Sequence, residues 1–153
     1  VILIVFPHIV RLPMQNRNTV LDCLRLFNKS EDHRLYTLAE FNSYCLFPLL
    51  YKKARLFYDG DQPIGFVSWA WITAEEATEF LSEMWIPDEV VWKRPDVIDD
   101  RYQLWGIDFI APYGHTTKVM RGMMKHSQTV LGQRVPANWR RFKSPDKIHT
   151  KEF

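Results

Sequence analysis

The 153-residue sequence predicts an α+β domain built on a mostly antiparallel sheet. Three observations lead there. Residues 55–58 and 63–71 are strand-like runs joined across Asp59-Gly60, a hairpin turn signal. Residues 135–142 and 147–153 form a second such pair, joined at Ser144-Pro145-Asp146. Between the hairpins, residues 104–110 are an apolar run rich in aromatic and β-branched types, which Pro112 and Gly114 stop before the spacing turns helical.

The other elements follow in order. Residues 1–10 read as a leading strand or arm, part of a stretch through residue 17 that precedes the first clear helix. Asn18 or Thr19 caps that helix, with Val20, Leu21, Leu24 and Phe27 on one face and an end near Asn28. A polar turn, Ser30-Glu31-Asp32-His33-Arg34, comes next and places His33 as an exposed turn histidine. Thr37 and Glu40 form a capping box for a helix through Phe41, Tyr44 and Cys45 that Pro48 ends or kinks. In the returning strand of the first hairpin, Phe66 and Ser68 lie on one side and Val67 and Trp69 on the other. Thr73 and Glu76 form a second capping box, opening a surface helix over residues 74–85 with an acidic face. Residues 86–101, carrying Pro87 and Pro95, read as a long loop. Residues 115–126 read as a helix burying Val119, Met120, Met123 and Met124, which is core packing before it is an acyl-chain groove.

Composition narrows the function classes. An apolar content of 46% and a charged content of 25% are ordinary for a globular chain of one domain. Residues 1–6 are apolar, but Pro7 and His8 cut the run short and no basic region precedes it, so it does not read as a signal peptide. Elsewhere no stretch reaches the roughly 20 apolar residues a spanning helix requires. Net charge is +2, with nine acids against Lys93 and Arg94 over residues 75–100 and nine Lys and Arg against Asp146 and Glu152 from residue 111 onward. No aromatic-basic nucleic-acid motif accompanies that polarity, so no nucleic-acid partner is expected. The basic third suits an acidic partner, with Lys118, Arg121, Lys125, Arg140, Arg141 and Lys143 as candidate docking residues. Cys23 and Cys45 lack metal-ligand or CxxC spacing and read as packed, reduced thiols of a cytoplasmic protein. Cys23 on a helix face is core before it is a nucleophile. His8, His115, His126 and His149 form no ligand set, so no metal is expected.

Asp108 is the one carboxylate in the middle of the apolar run over residues 104–110. Buried and ionised without a partner it would be costly, so it requires a hydrogen-bonding or charged partner, or a chemical task. A loop cap or an arginine partner would satisfy it as well. The surrounding words are more particular. Trp105-x-x-Asp108-Phe109-Ile110-Ala111-Pro112-Tyr113-Gly114 resembles the signature Trp-x-x-Asp-Trp-Ile-Ala-Pro-Phe-Gly of the RTX-type toxin-activating lysine acyltransferases, with two aromatic swaps. Ser30, His33 and Arg34 match the family's Ser-x-x-His-Arg after its first helix. Pro63-Ile64-Gly65-Phe66-Val67-Ser68-Trp69-Ala70 is similar to its Pro-(Ile/Val)-Ala-(Phe/Tyr)-Cys-Ser-Trp-Ala. The Asp99-Asp100-Arg101 run departs from the family's Gly-Asp-Arg: it lacks the Gly and sits two residues farther from Trp105. The resemblance runs from about Thr19 to Phe153.

That resemblance implies an N-acetyltransferase-like (GNAT-like) single domain, a central twisted sheet flanked by helices. It also implies transfer of a fatty acyl group from acyl carrier protein to internal lysines of a protoxin, with a homodimer as a reasonable assembly. By resemblance His33 is the general base and Asp108 its orienter, with Ser30 and Arg34 in support. A lysine amine, of pKa about 10.4, is almost wholly protonated at neutral pH, so a base has to take its proton as it attacks. The turn over residues 111–116 carries one glycine, Gly114, and a proline that removes an N–H. It suits one phosphodiester of a carrier's pantetheine arm better than a pyrophosphate, making Gly114, Thr116 and Arg121 the donor-binding candidates and leaving no bound cofactor. Two other classes compete: an acyl-CoA-dependent N-acetyltransferase of another substrate, and a catalytically inactive binding or inhibitory protein of the same fold. Intact His33 and Asp108 argue against the second.

Overall fold

The computed structural model describes residues 18–83, 85–141 and 144–153. The leading arm assigned to residues 1–17, and Lys143 among the docking candidates, lie outside the described residues. Five strands, β1 (Ala54–Asp59), β2 (Gln62–Ile72), β3 (Gln103–Ile110), β4 (Pro136–Arg141) and β5 (Ser144–Glu152), form one sheet in chain order. All neighbours are antiparallel except β3 and β4, which run parallel and are linked by α6 (Thr116–Leu131). The α+β class and GNAT-like, mostly antiparallel sheet expected from the sequence are therefore present. Gly60 holds the first hairpin turn at φ +58, where a side chain would be strained. Ser144, Pro145 and Asp146 belong to β5, so the second hairpin does not turn on them: Ser144 already pairs with Arg141.

Helices cover both faces. α6 packs Val119 and Met123 against Val67, Trp69, Trp71 and Leu104. On the opposite face, α1 (Thr19–Lys29) contributes Cys23, Leu26 and Phe27 to a cluster with Phe41, Cys45, Phe66 and Ile110. Beside it, α4 (Ala74–Leu81) sets Ala77 and Phe80 against Ala70, Ile72, Trp105 and Ile107. The alternation of β2 is thus as the sequence implies.

Three further expectations change. In α1 the apolar face runs through Cys23, Leu26 and Phe27, while Val20, Leu21 and Leu24 remain 42–44% exposed. Phe27 sets that rotation, because its ring meets Phe41 and Phe66 edge-on at 5.1 and 5.3 Å. Residues 86–101 are not all loop: Asp88 caps a one-turn helix, α5 (Glu89–Trp92), which buries Trp92 completely. α4 stops at Leu81, and Glu83 follows at φ +61. Of its acids, Glu76 is held between Arg94 Nη1 and Nη2 at 2.6 and 2.7 Å.

The second capped helix begins as α2 (Leu38–Phe41), widens into a π turn (Asn42–Leu46) and resumes as α3 (Phe47–Leu50). Pro48 accounts for the widening, since it has no N–H and its ring would crowd the carbonyl four residues back. Both capping boxes form.

Candidate active site

A register shift in β3 positions the site. Ser68 of β2 faces Asp108, but Trp69 faces Gly106, so Ile107 is an extra residue in the ladder. Such a bulge turns two successive side chains to one side. Ile107 joins the α4 cluster and Asp108 turns to α1, both on the same face, while Phe109 packs with the α6 cluster. With unbroken alternation Asp108 would share the face of Leu104 and point at α6. The bulge aims it instead at the turn following α1.

Ser30 ends α1, and its carbonyl accepts the N–H groups of His33 (3.2 Å) and Arg34 (3.0 Å), folding the turn back on the helix. The exposed turn histidine expected from the polar sequence is in fact buried, with 2% of His33 accessible. Its ring lies edge-on to Phe27 at 5.5 Å and beside Tyr36 at 5.2 Å. His33 Nε2 stands 3.2 Å from Asp108 Oδ1, and His33 Nδ1 stands 2.6 Å from Ser30 Oγ. An ionised carboxylate can only accept, so a neutral imidazole carries its proton on Nε2 and donates to Asp108. Nδ1 then accepts from the Ser30 hydroxyl. Ser30, His33 and Asp108 form one directed chain, with the half-buried Ser30 at its outer end.

Asp108 is 4% exposed and well provided on one side. Oδ1 also accepts from the Tyr36 hydroxyl at 3.3 Å. The Asp108 N–H donates to Ser68 Oγ at 3.1 Å, which explains a fully buried serine in β2. Oδ2 is buried and has no hydrogen-bond partner among the described residues. Burial, and then the Asp108 charge, push the Tyr36 phenol well above its usual range. The same two causes push Tyr44 up to about 12. The Cys45 thiol is raised by its hydrogen bond with Cys23 and by burial, so both cysteines are packed thiols, as expected.

The remaining candidates lie outside this trio. Arg34 gives its backbone N–H to the turn while the residue is exposed. Gly114, at φ +82, leads through His115 to Thr116, the first residue of α6, and no side chain caps that helix. Arg121 is exposed on α6. The docking candidates do not form one face: Lys118 pairs with Asp59 at 3.2 Å, whereas Arg140 bonds the Leu81 carbonyl and covers the Phe80 ring. Among the described residues no group of His, Cys, Asp and Glu could hold a metal ion, and no helix is long and apolar enough to cross a membrane.

Sequence reasoning missed Tyr36 and the pairing of Ser68 with Asp108. Tyr36 did leave a signal: it directly precedes the Thr37 cap, with Phe41 at the fourth helical position, the spacing of a hydrophobic staple.

The fold is thus a helix-covered, GNAT-like sheet that holds a buried histidine–carboxylate pair at a strand bulge. The chain matches the model of the RTX toxin acyltransferase family over residues 15–144, and it belongs to that family. It is therefore an acyltransferase of the kind that acts on RTX protoxins. No curated protein matches it significantly.

Proposed function

We propose that this chain transfers a fatty acyl group from the thioester of acyl carrier protein to lysine side chains of a protoxin, with His33 as general base and Asp108 as its orienter. The observation that carries this reading is the directed chain Ser30 Oγ, His33 Nδ1, His33 Nε2, Asp108 Oδ1, buried at all but its outer end. Asp108 fixes the tautomer that leaves Nδ1 basic, and it stabilises the imidazolium formed when a proton arrives. Because Ser30 Oγ already covers Nδ1, the proton of the attacking amine reaches His33 through the Ser30 hydroxyl. The amine forms the C–N bond, the C–S bond breaks, and the carrier's thiolate leaves to take up a proton. Removing the charge from the amine in step with attack is what a lysine acceptor requires.

The donor's place is supported by the sheet. Among the described residues β3 pairs with β4 at Leu104↔Ala137 and Trp105↔Asn138, and the strands part before Asp108. The β3 edge freed there suits the amide groups of a pantetheine arm, which can pair with backbone as an added strand does. The turn with Gly114 and the uncapped start of α6 at Thr116 lie at the same end of β3 and suit its single phosphate, with Arg121 adding positive charge nearby. A cleft lined by Arg25, Lys29, Gln62 and Tyr113 opens alongside. A carrier-dependent reaction fits a cytoplasmic enzyme.

The test is to offer acyl carrier protein and acyl-CoA of equal chain length with a lysine-bearing protoxin fragment, and to follow the fragment by intact mass. Carrier-dependent addition of one acyl mass per target lysine is expected. Equal efficiency from acyl-CoA would contradict the donor assignment, and acyl groups found on residues other than lysine would contradict the acceptor.

A further inference from the structure

We propose that Tyr36 is a positioning residue for the acyl-transfer site, fixing the orientation of the Asp108 carboxylate toward His33. The inference rests on the reading of His33 and Asp108 as base and orienter. By itself, the 3.2 Å contact of His33 Nε2 with Asp108 Oδ1 leaves a carboxylate free to rock about its terminal torsion. The Tyr36 hydroxyl is a second donor to that same oxygen, at 3.3 Å. Two donors converging on Oδ1, with the backbone of Asp108 held by Ser68, define one carboxylate orientation and leave Oδ2 as the buried oxygen without a partner among the described residues.

Tyr36 is itself held rigidly. Its ring meets Phe27 at 5.8 Å, His33 at 5.2 Å and Tyr44 at 5.4 Å, and its N–H donates to the His33 carbonyl at 3.1 Å. The residue that orients Asp108 is thus tied to the backbone of the residue that Asp108 orients. A phenol so placed keeps its proton, since burial and the carboxylate both disfavour the phenolate, and it serves as a permanent donor. Of the tyrosines, Tyr36 is the one bonded to Asp108.

Tyr36→Phe removes one hydroxyl and keeps the ring contacts, so the melting temperature serves as the control for folding. The expected result is a kcat lower by about tenfold or more, the loss of a hydrogen bond to a charged group, with KM for both substrates unchanged. In an Asp108→Asn background the same change should have almost no further effect on kcat, since the two residues act through one contact. A wild-type kcat, a loss that falls on KM rather than kcat, or an equal drop in the Asp108→Asn background would overturn the inference. His33→Gln, measured in parallel, separates the two claims. A fully active His33→Gln protein overturns the base assignment itself, whereas an inactive one beside an unimpaired Tyr36→Phe overturns only the role of Tyr36.

Discussion

Asp108 Oδ1 takes two donors, and the protein surrounds that one oxygen with aromatic rings rather than arginine. An arginine would hold the carboxylate as tightly but would spend its charge, leaving less to stabilise a protonated His33. Neutral donors keep the carboxylate available. This arrangement has a consequence for stability at high pH. Tyr36 and Tyr44 both keep their protons in the folded protein beyond the point at which unfolded tyrosine loses its own, near pH 10. Between those limits the folded chain binds more protons than the unfolded one, so stability falls as pH rises. The melting temperature should therefore decline from pH 10 toward pH 12. Tyr44→Phe should flatten the decline, while a curve identical to wild type would mean that the Tyr44 environment is not as described.

At the scale of elements, close approach of α6 to the sheet decides much of the sequence. Gly65 has no side chain because a Cβ there would run into Val119 of α6, and Gly122 similarly makes room for Phe57. Gly65→Ala should cost about 1–3 kcal/mol through overpacking, and Val119→Ala, harmful alone, should recover part of that loss when the two are combined. Denaturant titration of the two single variants and the double variant measures the coupling. Strict additivity would show that the two side chains do not meet. The same elements show what a sequence can reveal. The hairpin at Asp59-Gly60, both capping boxes and the strand carrying Asp108 were legible because each is fixed by neighbours in sequence. The rotation of α1 was not, because Phe27 finds Phe41 and Phe66 only once the sheet exists. α5 escaped notice because a single capped turn lacks a helical period to read.

Across the whole molecule, the candidate site sits where the termini of several elements meet: the end of α1, the bulged strand β3 and the parting of β3 from β4. His33 and Asp108 were identifiable as a pair by resemblance to a family. Their contact was not identifiable by residue reasoning, since 75 residues separate them and the turn around His33 reads as polar and exposed. Burial came from Phe27, Tyr36 and Asp108 together, which no local pattern announces. Burial also governs the choice of variant for a test, because His33→Ala would open a cavity against Phe27. His33→Gln and Asp108→Asn fill their sites and are the better probes. The most direct measurement is single-turnover acyl transfer to a protoxin fragment by wild type, His33→Gln and Asp108→Asn, each first shown to melt as wild type does. Removing a general base costs about 10²–10⁴ in rate, and replacing an orienting aspartate by asparagine about 10⁴ in a comparable triad. Losses of that order in both variants are expected, and transfer at wild-type rate by either folded variant would contradict the account.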